Sequence, residues 1–399
     1  MKKTITLLII LLLVLFMVGC ENSVNPTEPI SSGGSLLFKK PIQPPEIPPT
    51  PMPALNLDTE YIAGIGEGKV FIWDIDNLTN IWSTSIEAFT INGIGIGNFI
   101  GDANKQLLVE RRIKRGKNKK DIIESQELLI FTEDNIEPFK TVVLRQHEDY
   151  EDALWDMKIA NVDDDSDLEI ILAFRDKLEI WESDGTEISP TATFDYFSLG
   201  EIPWGIDVGD FNSDGINEII VCFSGNIWRS YEYNGSSSSI SQIEESIAYN
   251  EIGSLNCVKI ADIDYDEDVE VIGGSSIGKI LVWESPNQII ASDQVIPIYY
   301  AWAVDVGEID GEVGNGKEII GVSSNSGGLH LFHYNDGDLD YEGELFSALS
   351  NSLNDVIVSG VYPYNKIIVA TSNGLEVYDN TYENPFIDNV GSLQNLIFE

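Results

Sequence analysis

Short apolar runs recur along most of the chain. Each is followed, after a brief polar break, by a second run that alternates apolar and polar positions. Glu169 to Phe174 leads to Lys177 to Trp181 and the turn Ser183-Asp184-Gly185. Glu218 to Phe223 leads to Asn226 to Tyr233 and the turn Asn234-Gly235. Glu270 to Ser275 leads to Lys279 to Trp283, and Glu318 to Ser323 leads to Leu329 to Tyr334 and Asn335-Asp336-Gly337. Lys366 to Ser372 precedes Leu375 to Tyr378, Gln106 to Glu110 precedes Glu127 to Phe131, and Tyr61 to Asp76 opens the series. β-Branched residues in short runs, closed by Asn-Gly or Asp-Gly, predict strands and hairpins. Capped runs with a 3.6-residue period are almost missing, so little helix is expected.

The hairpins belong to a longer repeat. Trp155 to Phe174, Trp204 to Phe223 and Asn256 to Ser275 align without gaps, and Trp302 to Ser323 aligns with two residues inserted. Decayed copies begin at Asn92 and Asn354. The loop inside each copy starts at Asn98, Asn161, Asp210, Asp262, Glu308 and Ser359, giving spacings of 63, 49, 52, 46 and 51. The long first spacing contains an insertion from Arg111 to Asp121. A period near fifty residues with about four strands per copy predicts a propeller. The expectation is an all-β, seven-bladed β-propeller of four-stranded antiparallel blades over residues 56–399. The first copy lacks an innermost strand, and Ser392 to Phe398 resembles Ser254 to Ile260. The C-terminal strand is therefore expected to close the first blade and cover its edge, the other reading being a disordered tail.

The loops carry the chemistry. Oxygen-bearing side chains stand at relative positions 1, 3, 5 and 9. They are Asn161, Asp163, Asp165 and Glu169, then Asp210, Asn212, Asp214 and Glu218, then Asp262, Asp264, Asp266 and Glu270. The carbonyl at position 7, of Asp167, Ile216 or Asp268, offers one more ligand. Alternate spacing lets oxygens converge while the chain curls, the arrangement that Ca2+ takes with six to eight oxygens. About three structural Ca2+ ions are expected, with Mg2+ a poorer fit because it holds its waters. The alternative is a set of solvated Asx-turns. A weaker fourth loop holds Glu308, Asp310, Glu312 and Glu318. The copies at Asn98 and Ser359 have too little charge to hold an ion.

These repeats resemble the FG-GAP/VCBS repeats of integrin-alpha-like β-propellers over residues 56–399. The most specific element is the D-x-[DN]-x-D-G-x-x-[DE] loop, best matched from Asp210 to Glu218 with Gly215 at the sharp turn. The Phe-Gly and Gly-Ala-Pro signatures of integrin blades are missing, so the closer resemblance is to the bacterial VCBS type. It implies structural calcium in loops on one face of the disc. It also implies a role in adhesion, scaffolding or ligand binding, with partners bound elsewhere. Some propellers carrying such repeats belong to polysaccharide lyases.

Charge narrows the classes further. The 399 residues hold 66 Asp and Glu against 23 Lys and Arg, a net charge of −43, which excludes a general nucleic-acid binder. Three Cys and three His exclude a disulfide scaffold and leave little for a His-built metal site. Lys2 and Lys3, the apolar run Thr4 to Val18 and then Gly19-Cys20 resemble a bacterial lipobox, although Met17 stands where Leu is usual. The expectation is a signal peptide over 1–19, a lipidated Cys20, and a Pro-rich disordered linker over 20–55. It places the protein at a bacterial cell envelope, as a lipid-anchored monomer of the outer membrane, facing the periplasm or the surface.

Trp155, Trp204 and Trp302 share one repeat position and either line a ligand surface or pack between blades. Trp73, Trp181, Trp283, Phe131, Phe332 and Tyr378 end third strands and read as core. Arg111, Arg112, Lys114 and Arg115 head a basic insertion that offers a dock for an anionic glycan or a protein, unless it is a solvated loop tip. Cys222 and Cys257 read as buried free thiols, though export leaves pairing open. No nucleophile elbow, triad spacing, phosphate loop or zincin motif is present, so no catalytic residue is assigned. Non-catalytic binding of a protein or carbohydrate, or scaffolding, is the expected function. A polysaccharide lyase-like enzyme with its site in the central funnel is the alternative.

Overall fold

The computed structural model describes residues 50–398 apart from connecting stretches, of which the longest are 115–121, 310–317, 347–352, 359–365 and 379–385. Residues 1–49, with Cys20 and most of the Pro-rich segment, and Arg115, Asp310 and Glu312 lie outside the described residues. So does the loop start at Ser359.

Among the described residues every regular element is a strand. Five of the blades are plain meanders of neighbours in sequence order. Leu154–Ala160, Glu169–Phe174, Lys177–Ser183 and Ile188–Asp195 make one such blade. The second strands Glu169–Phe174, Glu218–Phe223 and Glu270–Ser275 are buried on both faces, which is why they read as unbroken apolar runs. Outer strands such as Ser239–Glu245 are mostly exposed and polar. The Asp-Gly turn works as its residues suggest. The Asp184 carboxylate accepts from the N–H of Thr186 and Glu187 at 2.8 and 2.7 Å, while Gly185 takes φ +84°.

The expected seven four-stranded blades are corrected by the sheet pairing. Six blades are four-stranded. The remaining sheet has five strands, because Leu55–Asn56 adds to Asn104–Lys114 beside Thr90–Gly97, Ile122–Phe131 and Lys140–Asp149. The physical reason is a length mismatch. Thr90–Gly97 pairs from Gln106 onward and Ile122–Phe131 from Leu107 onward. Asn104 and Lys105 are left to pair with Asn56 and Leu55. Met52 and Leu55 are buried in the same core, and Met52 exchanges backbone hydrogen bonds with Asn135 and Asp134.

The C-terminal strand Asn395–Phe398 pairs with Tyr61–Gly66, Ile62 opposite Phe398 and Ile65 opposite Asn395. The first blade is thereby completed by the last residues of the chain. Each apolar cluster is shared by two neighbouring sheets. One joins Ile62, Trp73 and Leu393 to Ile368, Ala370 and Leu375, so the ring closes through packing as well as through the ladder. Trp73, Trp283 and Phe332 are fully buried, and Trp181, Phe131 and Tyr378 nearly so. Cys222 and Cys257 are free thiols. Burial pushes the Cys257 thiol up to about 12 and that of Cys222 well above its usual range.

Candidate functional site

The acidic loops join each innermost strand to the next strand. In the loop at 161–169 each carboxylate or amide oxygen caps the N–H two residues on. Asn161 accepts from Asp163, Asp163 from Asp165 and Asp165 from Asp167, at 3.2, 2.9 and 2.7 Å. The chain curls inward as a result. The loop at 262–270 repeats this pattern from Asp264 and Asp266 to the N–H of Asp266 and Asp268. In the loop at 210–218 Asn212 and Asp214 cap Asp214 and Ile216, and Asp210 accepts from Asp214 and Gly215. Position 6 takes a left-handed backbone, φ +90° at Gly215 and +78° at Glu267.

Position 9 has a second task. Glu169, Glu218 and Glu270 are buried at 1% exposure and accept from the N–H of Val162, Phe211 and Ile263 at 2.8 to 2.9 Å. In the decayed copy the Gln106 amide oxygen does the same for Phe99 and Ile100. A side-chain oxygen at this position accepts from the loop backbone in all four copies, whereas a carboxyl stands there only where the loop is acidic.

Asp163, Asp165 and Glu169 bring carboxylate oxygens within 4.8 Å of one another, and so do Asp262, Asp264 and Glu270. Oxygens on opposite sides of one Ca2+ stand roughly 5 Å apart, so both trios fit a single hard cation. Among the described residues no third carboxylate trio is found at the loop 210–218. There the Asn212 amide donates to Glu218 at 2.8 Å and Asp210 is turned to the backbone. The three loops are linked. Asn217 donates to the Asn161 carbonyl, Ser213 to Asp268, and Tyr265 to Glu308. Glu308 is buried, the strand of Glu318 is described, and the rest of the fourth loop lies outside the described residues.

Burial pushes Glu169 up to about 8, with Asp163 and Asp165 adding to the shift and the Val162 N–H opposing it. Burial, then the neighbouring aspartates, push Glu218 and Glu270 up to about 7. A carboxyl raised in the folded state contributes stability that is full below its unfolded value, 4.5, and lost as pH rises through 7 to 8. Protein dialysed free of divalent ions is therefore expected to melt higher near pH 5.5 than near pH 8.5, by about 5 °C in calorimetry. A melting point that climbs between those two values would mean that these carboxyls titrate normally.

At the other end of the innermost strands the register slips by one residue in each repeat. The pairing passes from Ile91 to Gly93, Leu154 to Asp156, Pro203 to Gly205, Leu255 to Cys257, Ala301 to Ala303 and Leu353 to Asp355. The bulged residues are Asn92, Trp155, Trp204, Asn256, Trp302 and Asn354. Six residues separate them from the acidic loops, roughly 20 Å along a strand. Trp155 and Trp204 meet edge to face with ring centres 4.8 Å apart. Trp302 is 48% exposed and Tyr300, which sequence reasoning missed, 47%.

Three residues further along the same strands lies a belt of alternating charge, also missed. The Lys158 ammonium is 3.3 Å from Asp207, and Lys259 lies 4.0 Å from Asp207 and 2.9 Å from Asp305. The basic insertion contributes less free charge than its composition suggests. Arg111 pairs with Glu127 at 2.7 Å, while buried Arg112 pairs with Glu110 and donates to the Leu154 carbonyl. The side chain of Lys114 lies outside the described residues.

The FG-GAP-like repeat family matches residues 161–221, from the acidic loop at 161–169 into the next blade. No curated protein matches the chain by sequence. Among solved structures the chain is similar to a protein from Lactobacillus plantarum, with TM-score 0.58 at 11% identity over 86% of this chain and 99% of that one. The β-propeller domain of Myceliophteria thermophila Cps50 (Swd1) gives 0.53 at 10% identity, covering 87% and 95%. Saccharomyces cerevisiae Sqt1 gives 0.53 at 12% identity, covering 76% of each chain. At these identities the likeness is one of fold. The chain is a β-propeller that carries an FG-GAP-like repeat.

Proposed function

We propose that this FG-GAP-type propeller is a non-catalytic binding or scaffold module whose acidic loops hold about three structural Ca2+ ions. The observation that carries the reading is the recurrence of the 1-3-5-9 oxygen pattern in three consecutive blades, with two carboxylate trios gathered tightly enough for one ion each. In the two trio loops Asn161, Asp163, Asp165 and Glu169, and Asp262, Asp264, Asp266 and Glu270, are the side-chain ligands. Asp210, Asn212, Asp214 and Glu218 take these roles in the loop between them. The carbonyls of Asp167, Ile216 and Asp268 complete the sets. The ion neutralises carboxylates that otherwise repel, so its binding is coupled to folding.

Titration calorimetry on protein freed of divalent ions is expected to give about three Ca2+ per chain. Less than one ion per chain overturns the calcium reading and leaves the loops as Asx-turns.

The module belongs to a bacterial cell envelope in this reading, held by lipid on Cys20. The basic start, the apolar run and Gly19-Cys20 support that placement. A Cys20→Ser variant that still partitions fully with membranes would remove the lipid from it.

A further inference from the structure

We infer that Asn217 couples the acidic loops at 161–169 and 210–218, so that the two take up Ca2+ together instead of independently. The inference rests on the calcium reading above and concerns how the loops fill.

Position 8 of each loop reaches back to the start of the preceding one. Leu168 lies in one apolar cluster with Phe99, and Val269 in one with Phe211, each the second residue of the loop before. A Cβ on Gly97 would stand 3.0 Å from Leu168, so the approach is close. In the loop at 210–218 the same place holds Asn217, a polar residue where its counterparts pack. Its amide donates to the Asn161 carbonyl at 2.9 Å.

That bond falls on a peptide that already serves the first loop. The Asn161–Val162 peptide accepts from Asn217 through its carbonyl and donates its N–H to Glu169, at 2.9 and 2.8 Å. Asn161 and Glu169 are positions 1 and 9 of the first loop. Asn217 stands between Ile216 and Glu218, positions 7 and 9 of the second. One peptide therefore joins the two ligand sets, and fixing it from one side fixes it for the other.

The second loop is the one that depends on this tie. Both Glu218 oxygens are engaged inside the loop, by the Phe211 N–H and the Asn212 amide at 2.9 and 2.8 Å. Taking an ion requires that amide to turn away. A site that must open first binds with an affinity reduced by the fraction already open. An ion in the first loop raises that fraction through Asn217. Repulsion between two divalent ions opposes the effect, but salt screens it, whereas the hydrogen bond is short-ranged and is not screened. The third loop is tied less firmly, because the bond from Ser213 to Asp268 is exposed at both ends and water competes for it.

The test is calorimetric titration of Ca2+ into the full chain freed of divalent ions, in about 0.15 M salt, with circular dichroism to confirm folding. Uptake by the parent protein is expected to be steeper than independent sites allow. Asn217→Leu, a change of shape-matched side chains, is expected to bind as many ions, with the steepness lost and the half-saturating Ca2+ raised about fivefold. An isotherm that superposes on that of the parent overturns the coupling and leaves the calcium reading standing. A variant that loses one ion at unchanged steepness also overturns it, because Asn217 then belongs to one site only. Less than one ion bound by the parent overturns both readings together. A second variant serves where Asn217→Leu does not fold. Asp163→Asn/Asp165→Asn strips two carboxylates from the first loop while amide oxygens still cap its turn. Coupling is reciprocal, so this change is expected to weaken the ion of the second loop about fivefold as well. If the ions left in that variant bind as tightly as in the parent, the loops fill independently.

Discussion

Chelating divalent ions is expected to lower the melting temperature of the protein by about 10 °C or more, and restoring Ca2+ to recover it, with Mg2+ giving a smaller rise. The magnitude follows from linkage. An ion that binds only the folded chain stabilises it by about 2.7 kcal/mol at a hundredfold excess over Kd, and each further loop that holds an ion adds to that effect. The direction follows from the loops themselves. Without an ion, Asp163, Asp165 and Glu169 hold carboxylate oxygens within 4.8 Å of one another around a buried glutamate. Replacing Asp210 and Asp214 by Ala is expected to lower the melting temperature in Ca2+ and to shrink the response to chelator. The two halves separate the roles. Both aspartates cap backbone N–H groups, so a loss of stability alone reports turn chemistry, whereas a reduced chelator response reports a lost ion. An undiminished response would show that the loop 210–218 holds no calcium.

The sequence made some of this legible and hid the rest for identifiable reasons. The strand pairs, the Asp-Gly turn at Gly185 and the third-strand aromatics could be read because each depends on neighbours in the chain. Closure by Asn395–Phe398 was legible because those residues repeat the innermost-strand pattern. The fifth strand at Leu55–Asn56 was not. Two residues inside a Pro-rich run carry no period, and their partner is a ladder end exposed only by the unequal lengths of other strands. The spacing of the acidic loops was visible, but Gln106 shows that position 9 also serves the backbone, a role that spacing cannot separate from ion binding. Arg112 sits in a charge run that reads as solvated. Its burial depends on Glu110 and on Leu154 in the next blade. The bulges are a property of paired registers, so no single strand announces them.

The alternating belt was also hidden, and it leads to the second large effect. Lys158, Asp207, Lys259 and Asp305 stand at one position of four successive repeats, but only the ring brings them side by side. Asp207 and Asp305 do double service. Each accepts from the backbone N–H of the next innermost strand, Ile260 at 2.8 Å and Val358 at 2.6 Å, while facing a lysine. Burial raises the Asp207 carboxyl, but Lys158, Lys259 and the Ile260 N–H together outweigh it and hold the group below its usual range. The Asp305 carboxylate, above all, raises the Lys259 ammonium. Replacing Lys259 by Met therefore leaves a sheltered carboxylate at Asp305 without its 2.9 Å partner. Removing one member of a fully buried pair costs about 3–5 kcal/mol, and the Lys259 side chain is 31% exposed, so about 2 kcal/mol is expected here. In saturating Ca2+ that is a fall of about 3 °C or more. The double variant Lys259→Met/Asp305→Asn should recover most of the loss, because an amide oxygen still accepts from Val358 and no carboxylate is left unpaired. If Lys259→Met melts with the parent protein, the belt is a solvated set of charges and the innermost strands are held by packing and backbone pairing alone.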